Sequence, residues 1–470
     1  MEENGQGPGE NEMLKDTICA ISTPQGTGGI GIIRISGRLT RRIVSRIFRP
    51  ASGKKVEGIS THTVTYGRII DDQNRIVDEV LLTFMLAPRS YTREDMAEIG
   101  CHGGIVPMRE IVGLCVSHGA RIALPGEFTR RAFINGRIDL LQAESVLEII
   151  NSRTERSLYM SQKKLRGGHK HILEKTRRRL VKILSFIEAG IDFPEDAGTV
   201  NFAGIKKDIE NTVSELESFM KRASRGRVLY SGINSAIIGR TNAGKSSLLN
   251  ALLGEDRAIV TELAGTTRDS LQETLNIRGI PVNIIDTAGI RKTRGRLEEM
   301  GIKKSLQWME KAEINLLVLD GSKKLNSHDR RLLEKVKEKL FLLVVNKADL
   351  PVKIEMQNLV DSFGKEKIVT LSARTGKGIE ALEERMYSLI TLGYGKMEND
   401  EIFLNVRQED KVRKTLETLR IVREESLGQE YMEICAEQLK ECLREIDELT
   451  GRDLNEDVLE TIFSKFCIGK

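Results

Sequence analysis

The residues best suited to chemistry form the run GRTNAGKS at 239–246. Its spacing, G-x-x-x-x-G-K-S, follows the apolar run SAIIG and precedes the helical pattern SLLNALL. In such a P-loop, backbone N–H groups surround a phosphate, the lysine bridges phosphate oxygens and the serine binds Mg²⁺. We therefore predict a catalytic role for Lys245 and a magnesium ligand in Ser246. The predicted contacts of this loop are Asn242, Ala243, Gly244, Lys245, Ser246 and Ser247.

Four further segments follow in the order that a guanine-nucleotide site requires. AGTTRD offers Thr267 as a second magnesium ligand, and DTAG at 286–289 follows its own apolar run. NKAD ends another such run at Asp349, whose carboxylate can accept both N–H donors of a guanine edge, and SAR at 372–374 completes the base pocket. The sequence thus predicts guanine-nucleotide binding. The predicted residues are Thr261, Glu262, Leu263, Ala264, Gly265, Thr266, Thr267, Asp286, Thr287, Ala288, Gly289, Asn346, Lys347, Ala348, Asp349, Ser372, Ala373 and Arg374.

The usual means of activating water is missing from this pattern. Ras-like switches place a glutamine after the D-x-x-G segment, but Ile290 stands there and an apolar side chain cannot orient water. Glu298 is the nearest well-placed candidate for catalysis, although it could equally be an ordinary acid at a helix start. The sequence assigns no arginine finger, and a bound cation could supply the positive charge instead.

A second glycine pattern, GTGGIG at 26–31, matches the dinucleotide fingerprint but has the wrong context. The apolar run IIRIS follows it, whereas the fingerprint needs a helix N-terminus for the pyrophosphate. No acidic residue stands about twenty positions further on, as the ribose contact requires. We interpret these glycines as a tight loop that can approach a ligand.

The elements around these motifs predict a multidomain α/β and α+β chain. Runs such as TICAIS, IGIIRIS, THTVTYGRI and EVLLTFML predict strands of a small α+β domain, with a helix from Ile105 to His118. Helical spacing then continues to about Arg227 and returns from about Asp400. The alternating strands and helices between them predict a doubly wound, Ras-like P-loop domain inserted into an all-α domain. The predicted limits are 1–14 for a disordered leader and 15–128 for the N-terminal domain. The first helical part is predicted at 129–229, the inserted domain at 230–392 and the second helical part at 393–470.

Composition limits the setting in which the protein acts. Of 470 residues, 40% are hydrophobic and 30% charged, and no apolar run has transmembrane length. The six cysteines form no C-x-x-C pair, which favours free thiols in a reducing compartment, and we expect a cytoplasmic protein without membrane association. Cys435 and Cys442, seven apart, are predicted to share the buried face of one helix. SKFCIGK lacks the aliphatic residues of a prenylation signal, although the tail is unusually apolar for a frayed end.

Positive charge is concentrated between Arg153 and Lys182, where 11 Lys and Arg face two Glu. Such a helical surface suits a phosphate backbone, so contact with RNA is one interpretation. A solvated helix face is the other, and the sequence leaves both open.

Taken together, these motifs resemble the family of tRNA modification GTPases called MnmE, or TrmE. The resemblance runs from Asp16 to Lys470. It rests on TPQGTGGIGIIRISG, SYTREDMAEIGCHGG, PGEFTRRAFINGRIDLLQAE, IDFPED, GRTNAGKSSLLNAL, AIVTELAGTTRD, IIDTAGIR and the terminal FCIGK.

The resemblance implies an N-terminal folate-binding domain that forms a constitutive homodimer. It also implies a flavin-dependent partner, MnmG (GidA). With that partner, the family adds an aminomethyl or carboxymethylaminomethyl group to C5 of the wobble uridine of certain tRNAs. A 5-formyl- or 5,10-methylene-tetrahydrofolate carries the one-carbon unit. GTP hydrolysis would need Mg²⁺ and K⁺.

The resemblance also implies roles for individual residues. It gives potassium ligands at Asn242, Thr261, Leu263 and Thr266, and it assigns catalysis to Glu298, in agreement with the interpretation above. The folate contacts would be Arg34, Glu98, Arg137 and Lys470, with Cys467 near the one-carbon unit, where its thiol would react or only pack. Two positions depart from the family pattern, since Thr241 replaces a usual proline and Arg137 is often lysine.

Two other functions fit part of the pattern. A ribosome-assembly GTPase that binds rRNA would share the nucleotide motifs and the basic helices, but it would not need Arg34, Glu98 and a fixed C-terminus. A folate-dependent methyltransferase with a merely regulatory nucleotide domain is the third possibility. Titration with 5-formyltetrahydrofolate separates the first of these from the tRNA-modifying function.

Overall fold

The computed structural model describes residues 16–24, 26–193, 201–254, 273–285, 306–395, 397, 400–424 and 431–470. These residues form two compact units. The first comprises the described residues up to Leu147 together with Leu165–Leu173 and Ile446–Lys470. The second comprises the described residues of Glu148–Lys164 and Glu174–Glu445. The predicted leader lies outside the described residues, and the predicted domain limits stay a prediction.

The first unit is built on a seven-stranded sheet. Its strands are β1 (Thr17–Ile21), β2 (Ile30–Ser36), β3 (Phe48–Pro50), β4 (Val64–Ile70), β5 (Ile76–Met85), β6 (Met96–His102) and β7 (Ala120–Ile122). The order is β3-β4-β5-β6-β2-β1-β7, and all neighbours are antiparallel except β1 and β7. The predicted strands are confirmed, whereas β3, β6 and β7 were not anticipated. β2 begins within the GTGGIG motif, at Ile30, which confirms that this loop leads into a strand and not into a helix.

Helices α1 (Thr40–Ile47), α2 (Ile105–Ser117), α3 (Glu127–Ile134) and α4 (Leu140–Ile150) begin in this unit. α5 (Glu155–Leu165) lies in the second unit up to Lys164, and α6 (Lys170–Asp192) begins in the first unit and continues from Glu174 in the second. The predicted helix at 105–118 is confirmed within one residue. Apolar side chains of β2, β5 and β6 pack with those of α1 and α2 in the core, because alternate strand residues face one side of the sheet.

The second unit contains a six-stranded sheet of order β13-β12-β11-β8-β10-β9. Its strands are β8 (Ile233–Ile238), β9 (Glu273–Ile277), β10 (Ile280–Ile284), β11 (Ile314–Asp320), β12 (Phe341–Asn346) and β13 (Ile368–Thr370). All are parallel except the edge strand β9, which pairs antiparallel with β10. The predicted doubly wound sheet is therefore confirmed, with an antiparallel edge added. β11 and β12 are buried on both faces, as expected of central parallel strands.

Helices of this unit flank the sheet or pack on each other. They are α7 (Phe202–Ser231), α8 (Lys245–Leu252), α9 (Ser327–Val336), α10 (Met356–Phe363), α11 (Ile379–Tyr394), α12 (Val406–Glu424) and α13 (Met432–Thr450), which ends in the first unit, where α14 (Glu456–Phe463) follows. α12 packs along α7, so the helices before and after the inserted sheet meet. Cys435 and Cys442 are fully buried on α13, as predicted. Among the described residues, no helix is long and apolar enough to cross a membrane.

Candidate functional sites

The P-loop connects β8 to α8 in the second unit, at the edge where the parallel strands end. Asn242 and Gly244 have positive φ angles of 63° and 96°. Position 244 also has no room for a side chain, because a Cβ on Gly244 would lie 2.2 Å from Asn346 Nδ2. Lys245 Nζ donates to the carbonyl oxygens of Gly239 and Arg240, both at 2.8 Å. Burial lowers the pKa of the Lys245 ammonium to about 8.

The base-recognition segments contact this loop through Asn346, at the end of β12. Its Nδ2 donates to Ala243 O at 3.0 Å, and its Oδ1 accepts from Ala373 N at 3.0 Å. Ser372 donates to Asp349 Oδ1 at 2.7 Å, and this hydrogen bond lowers the pKa of the Asp349 carboxyl. One amide side chain therefore joins the P-loop, NKAD and SAR segments into a single site. Ala348 lies in the same segment, where its N–H donates to Leu371 O at 3.1 Å.

Charged residues support this arrangement, and two of them, Asp320 and Asp329, were not singled out by the sequence motifs. Lys347 Nζ lies 2.8 Å from Asn242 O and 2.7 Å from Asp320 Oδ2. Burial disfavours the Asp320 carboxylate, but hydrogen bonds from Lys347 and Ser322 outweigh burial and keep its pKa below the ordinary value. Arg240 Nη2 lies 3.8 Å from Asp320 Oδ2, and Arg240 Nη1 lies 3.6 Å from Asp329 Oδ2. Asp320 could have been found from the sequence, since it ends β11 on the same edge as the P-loop.

Several predicted residues of the nucleotide site lie outside the described residues. They are Thr261, Glu262, Leu263, Ala264, Gly265, Thr266, Thr267, Asp286, Thr287, Ala288, Gly289 and Glu298. Their predicted roles in binding Mg²⁺ and K⁺ and in catalysis stay predictions. Ser246 and Ser247 occupy the first turn of α8, directly after Lys245.

A second candidate site lies in the first unit, where the C-terminal tail meets the sheet. Arg34 on β2 and Glu98 on β6 face each other in register, and Arg34 Nη2 lies 2.7 Å from Glu98 Oε1. Arg34 Nη1 donates to Gly469 O at 2.9 Å. Ser22 Oγ donates to the same carbonyl at 3.2 Å. The tail is therefore held to two strands of the N-terminal sheet.

The tail is also fixed by backbone contacts and by a small core. Gly126 N and Phe128 N donate to the carbonyl oxygens of Cys467 and Lys470, at 3.4 and 3.2 Å. The rings of Phe463 and Phe466 pack against α4, and these residues are 2% and 4% exposed. The apolar character of the tail suggests that Ile468 is buried too, but 53% of it is exposed, and Cys467 is exposed as well. Anchoring by two rings and by backbone hydrogen bonds leaves the side chains between them free to face solvent.

Tyr91, which the sequence analysis did not predict, lies beside two of the predicted folate residues. The Arg137 guanidinium lies 4.7 Å from the centre of its ring and that of Arg34 lies 5.8 Å from it. Arg137 Nη1 also donates to Tyr91 O at 2.9 Å. Burial raises the pKa of the Tyr91 hydroxyl. Burial and the positive charge of Arg34 lower the pKa of the Lys470 ammonium. The motif SYTREDMAEIG already contained this tyrosine, but nothing in the sequence placed it between two arginines.

Part of the basic stretch is paired with acidic side chains. Glu215 on α7 accepts ion pairs from Lys175 and Arg179 at 2.8 and 2.9 Å. Lys182 pairs with Asp208, Lys170 with Asp139 and buried Lys164 with Glu148. The steep imbalance of the sequence is thus reduced in the fold, which favours the interpretation as a structural helix surface. Contact with RNA stays an untested prediction.

The second unit, with its P-loop joined to an N-K-x-D segment on a doubly wound sheet, defines a P-loop GTPase. Family models match both ends of the chain, the TrmE N-terminus over residues 17–137 and the MnmE helical domain over 140–467. The tRNA modification GTPase MnmE of Carboxydothermus hydrogenoformans is 40% identical over 97% of this chain and 100% of its own length. The tRNA modification GTPase MnmE of Streptococcus agalactiae serotype III is 41% identical over 97% of this chain and 98% of its own length. The chain belongs to the MnmE family.

Among solved structures, the G domain of the T. maritima FeoB iron transporter covers 34% of this chain and 98% of its own, with 25% identity and a TM-score of 0.25.

Proposed function

We propose that this protein is a potassium-dependent GTPase that modifies tRNA with a tetrahydrofolate one-carbon donor and a flavin-dependent partner, MnmG (GidA). The product would carry an aminomethyl or carboxymethylaminomethyl group on C5 of the wobble uridine. The protein would act as a cytoplasmic homodimer with the predicted domain limits. Relatives that share 97% of the chain bear the name tRNA modification GTPase, which supports the tRNA substrate.

The observation that carries the folate part of the proposal is the meeting of Arg34, Glu98 and Gly469 in one place. A tail held by hydrogen bonds to the first two strands serves no evident purpose in a nucleotide switch. Around it, two guanidinium groups lie over Tyr91, and a half-buried ammonium lies nearby. An aromatic ring with several cations suits a flat pterin that carries a glutamate carboxylate. The residues present therefore fit a reduced folate.

The nucleotide part rests on the P-loop and its connection to the base-recognition segments. Lys245, at the start of α8, would hold the phosphates, and Ser246 would offer a hydroxyl oxygen of the kind Mg²⁺ prefers. Mg²⁺ and K⁺ would neutralise charge on the phosphates during hydrolysis. Asp349, oriented by Ser372, would select guanine.

Titration with 5-formyltetrahydrofolate tests this proposal against a ribosome-assembly role. The wild-type protein should bind, and Arg34→Ala should bind roughly ten to a hundred times more weakly, as expected when a charge-assisted hydrogen bond of about 1.5–3 kcal/mol is lost. Arg38→Ala is the matched control, because Arg38 is exposed on the connection from β2 to α1, four residues after Arg34. Absence of binding by the wild-type protein, with GTP hydrolysis intact, would favour the ribosome-assembly role.

A further inference from the structure

Arg153 connects the segment before α5 to two strands of the nucleotide-binding sheet. Its Nη1 donates to Thr274 Oγ1 at 3.0 Å and to Asn283 Oδ1 at 3.2 Å. Thr274 on β9 and Asn283 on β10 stand opposite each other in antiparallel register. Both side chains are buried, with 4% and 9% exposure. One guanidinium thus binds a buried polar pair that spans two strands.

These strands border the segments that the sequence assigns to magnesium. Thr274 is seven residues after Thr267, and Asn283 is three residues before Asp286. A change of contacts at either magnesium segment would pull directly on β9 or β10, because a strand transmits displacement along its length with little compression. The polar pair is therefore well placed to respond to the bound nucleotide.

The strand pair does not depend on Arg153 for its own hydrogen bonds. Thr274 Oγ1 donates to Asn283 Oδ1 at 3.0 Å, and Asn283 Nδ2 donates to Ser231 O at 3.1 Å, at the end of α7. Without the guanidinium, the buried amide still has a partner for both of its polar atoms. Loss of Arg153 should thus remove the hydrogen bonds between the strands and residues 148–164 without unfolding the sheet, because Met160 stays packed in the core of that sheet.

The segment that carries Arg153 is itself firmly held. Lys164 Nζ, fully buried, donates to Glu148 Oε1 at 2.6 Å and to Gln408 Oε1 at 2.7 Å. Tyr230 donates to Glu148 O at 3.0 Å and stacks on Phe403 with ring centres 3.8 Å apart. The segment 148–164 is thereby fixed to the places where the chain enters and leaves the inserted sheet. Arg153, by contrast, is exposed, so its hydrogen bonds to the strands compete with water.

We propose that Arg153 is a positioning residue that transmits the nucleotide state from β9 and β10 to residues 148–164. With one nucleotide bound, the polar pair keeps its hydrogen bonds to the guanidinium, and with the other the strands shift and weaken them. The backbone amides of residues 148–164 are then protected from hydrogen exchange to a different extent with each nucleotide. This inference rests on the proposed GTP-dependent function.

Hydrogen–deuterium exchange of the full chain tests this coupling. Peptides within 148–164 are compared with GDP and with a non-hydrolysable GTP analogue. The wild-type protein should show a difference in exchange between the two nucleotides, and Arg153→Ala should lose most of it. Arg153→Lys keeps the positive charge and should show part of the wild-type difference in exchange. Arg178→Ala is the matched control, because its Nε donates to Glu174 O in its own helix, at 3.3 Å, and it should behave as wild type.

Affinity for GDP separates coupling from damage to the sheet. It should change by no more than about twofold in all three variants, since none removes a group of the nucleotide site. Thr274→Val, which removes the hydroxyl but keeps the shape, should lose part of the exchange difference, since Arg153 retains Asn283 Oδ1 as an acceptor. Retention of the full difference in Arg153→Ala would overturn the inference. A wild-type protein that binds and hydrolyses GTP without any nucleotide-dependent exchange at 148–164 would overturn it too, whereas failure to bind GTP would overturn the proposed function itself.

Discussion

Arg34 and Gly469 are joined by a hydrogen bond of 2.9 Å although 435 positions separate them in the sequence. The contact requires glycine, because Gly469 has φ +91° and a Cβ there would lie 2.5 Å from Ile21 O. Arg34 in turn is held by Glu98 on the neighbouring strand. The last residues of the chain are therefore positioned by the first strands, and side chains on the tail gain fixed places beside the proposed folate site.

Gly469→Ala should abolish tRNA modification while GTP hydrolysis persists. The added methyl group cannot fit against Ile21 and Ser22, so the tail should leave its place, as it would after deletion of residues 467–470. Modification of tRNA and release of phosphate from GTP are measured on the same preparation. Lys465→Ala, an exposed position between the two anchoring rings, is the control and should retain both activities. Full modification by the deletion variant would exclude a role for the tail.

Cys467→Ser distinguishes a reacting thiol from one that only packs. Cys467 is exposed, while its carbonyl oxygen accepts from Gly126 N and Lys470 N, so the substitution should leave the tail docked. If the thiol reacts, modification should fall steeply with folate affinity unchanged. Modification at the wild-type rate would assign Cys467 a structural role only.

GDP binding should weaken as the pH rises above about 8. Burial lowers the pKa of Lys245 to about 8 in the free protein, and a bound phosphate favours the ammonium and so raises this pKa. Below pH 8 the lysine is charged in both states, and affinity should be constant. Above it, binding must take up a proton, and affinity should fall by up to about tenfold per pH unit. Titration calorimetry between pH 7 and 9 in two buffers measures this uptake, and an affinity independent of pH would contradict the assignment.

Glu298→Ala should reduce GTP hydrolysis by about 10²–10⁴-fold with little change in GTP affinity. The reason is that Ile290 stands where related switches use a glutamine, so another side chain must position the attacking water. Single-turnover hydrolysis and nucleotide binding are measured separately. Glu299→Ala is the neighbouring control, and equal loss in both variants would argue against a specific role for Glu298.

Hydrolysis should be faster in potassium than in sodium at equal ionic strength and saturating GTP. The sequence assigns no arginine finger, and a cation held by Asn242 and the TELAGTT segment could supply the missing charge, which is worth several kcal/mol at a transition state. Asn242→Ala should remove the preference for potassium. Equal turnover in both salts would count against a potassium site.

Local patterns predicted much of this molecule. The P-loop, N-K-x-D and S-A-R segments are continuous in sequence, and each follows a buried strand, so their place at one sheet edge followed from the topology. The folate residues required the family resemblance, because nothing in the local sequence relates Arg34 to a tail hundreds of residues away. The same limit applies to Tyr91, whose position between two arginines depends on the packing of separate elements.

Pairings across the fold were the least predictable features. The run from Arg153 to Lys182 looked strongly cationic, yet Glu215 and Asp208 on a later helix neutralise part of it. The antiparallel strand β9 was missed as well. Its sequence ETLNI is short and ambiguous, and only pairing with β10 defines it.

The most direct test of the central claim is the content of C5-modified wobble uridine in tRNA. Bulk tRNA from a strain that lacks this protein is analysed by mass spectrometry after complementation with the wild-type chain or with Lys245→Ala, which lacks the phosphate-binding ammonium. We expect that the wild-type chain restores the modified nucleoside and that the variant does not. Unchanged levels of the modified nucleoside in the strain without the protein would exclude the proposed function.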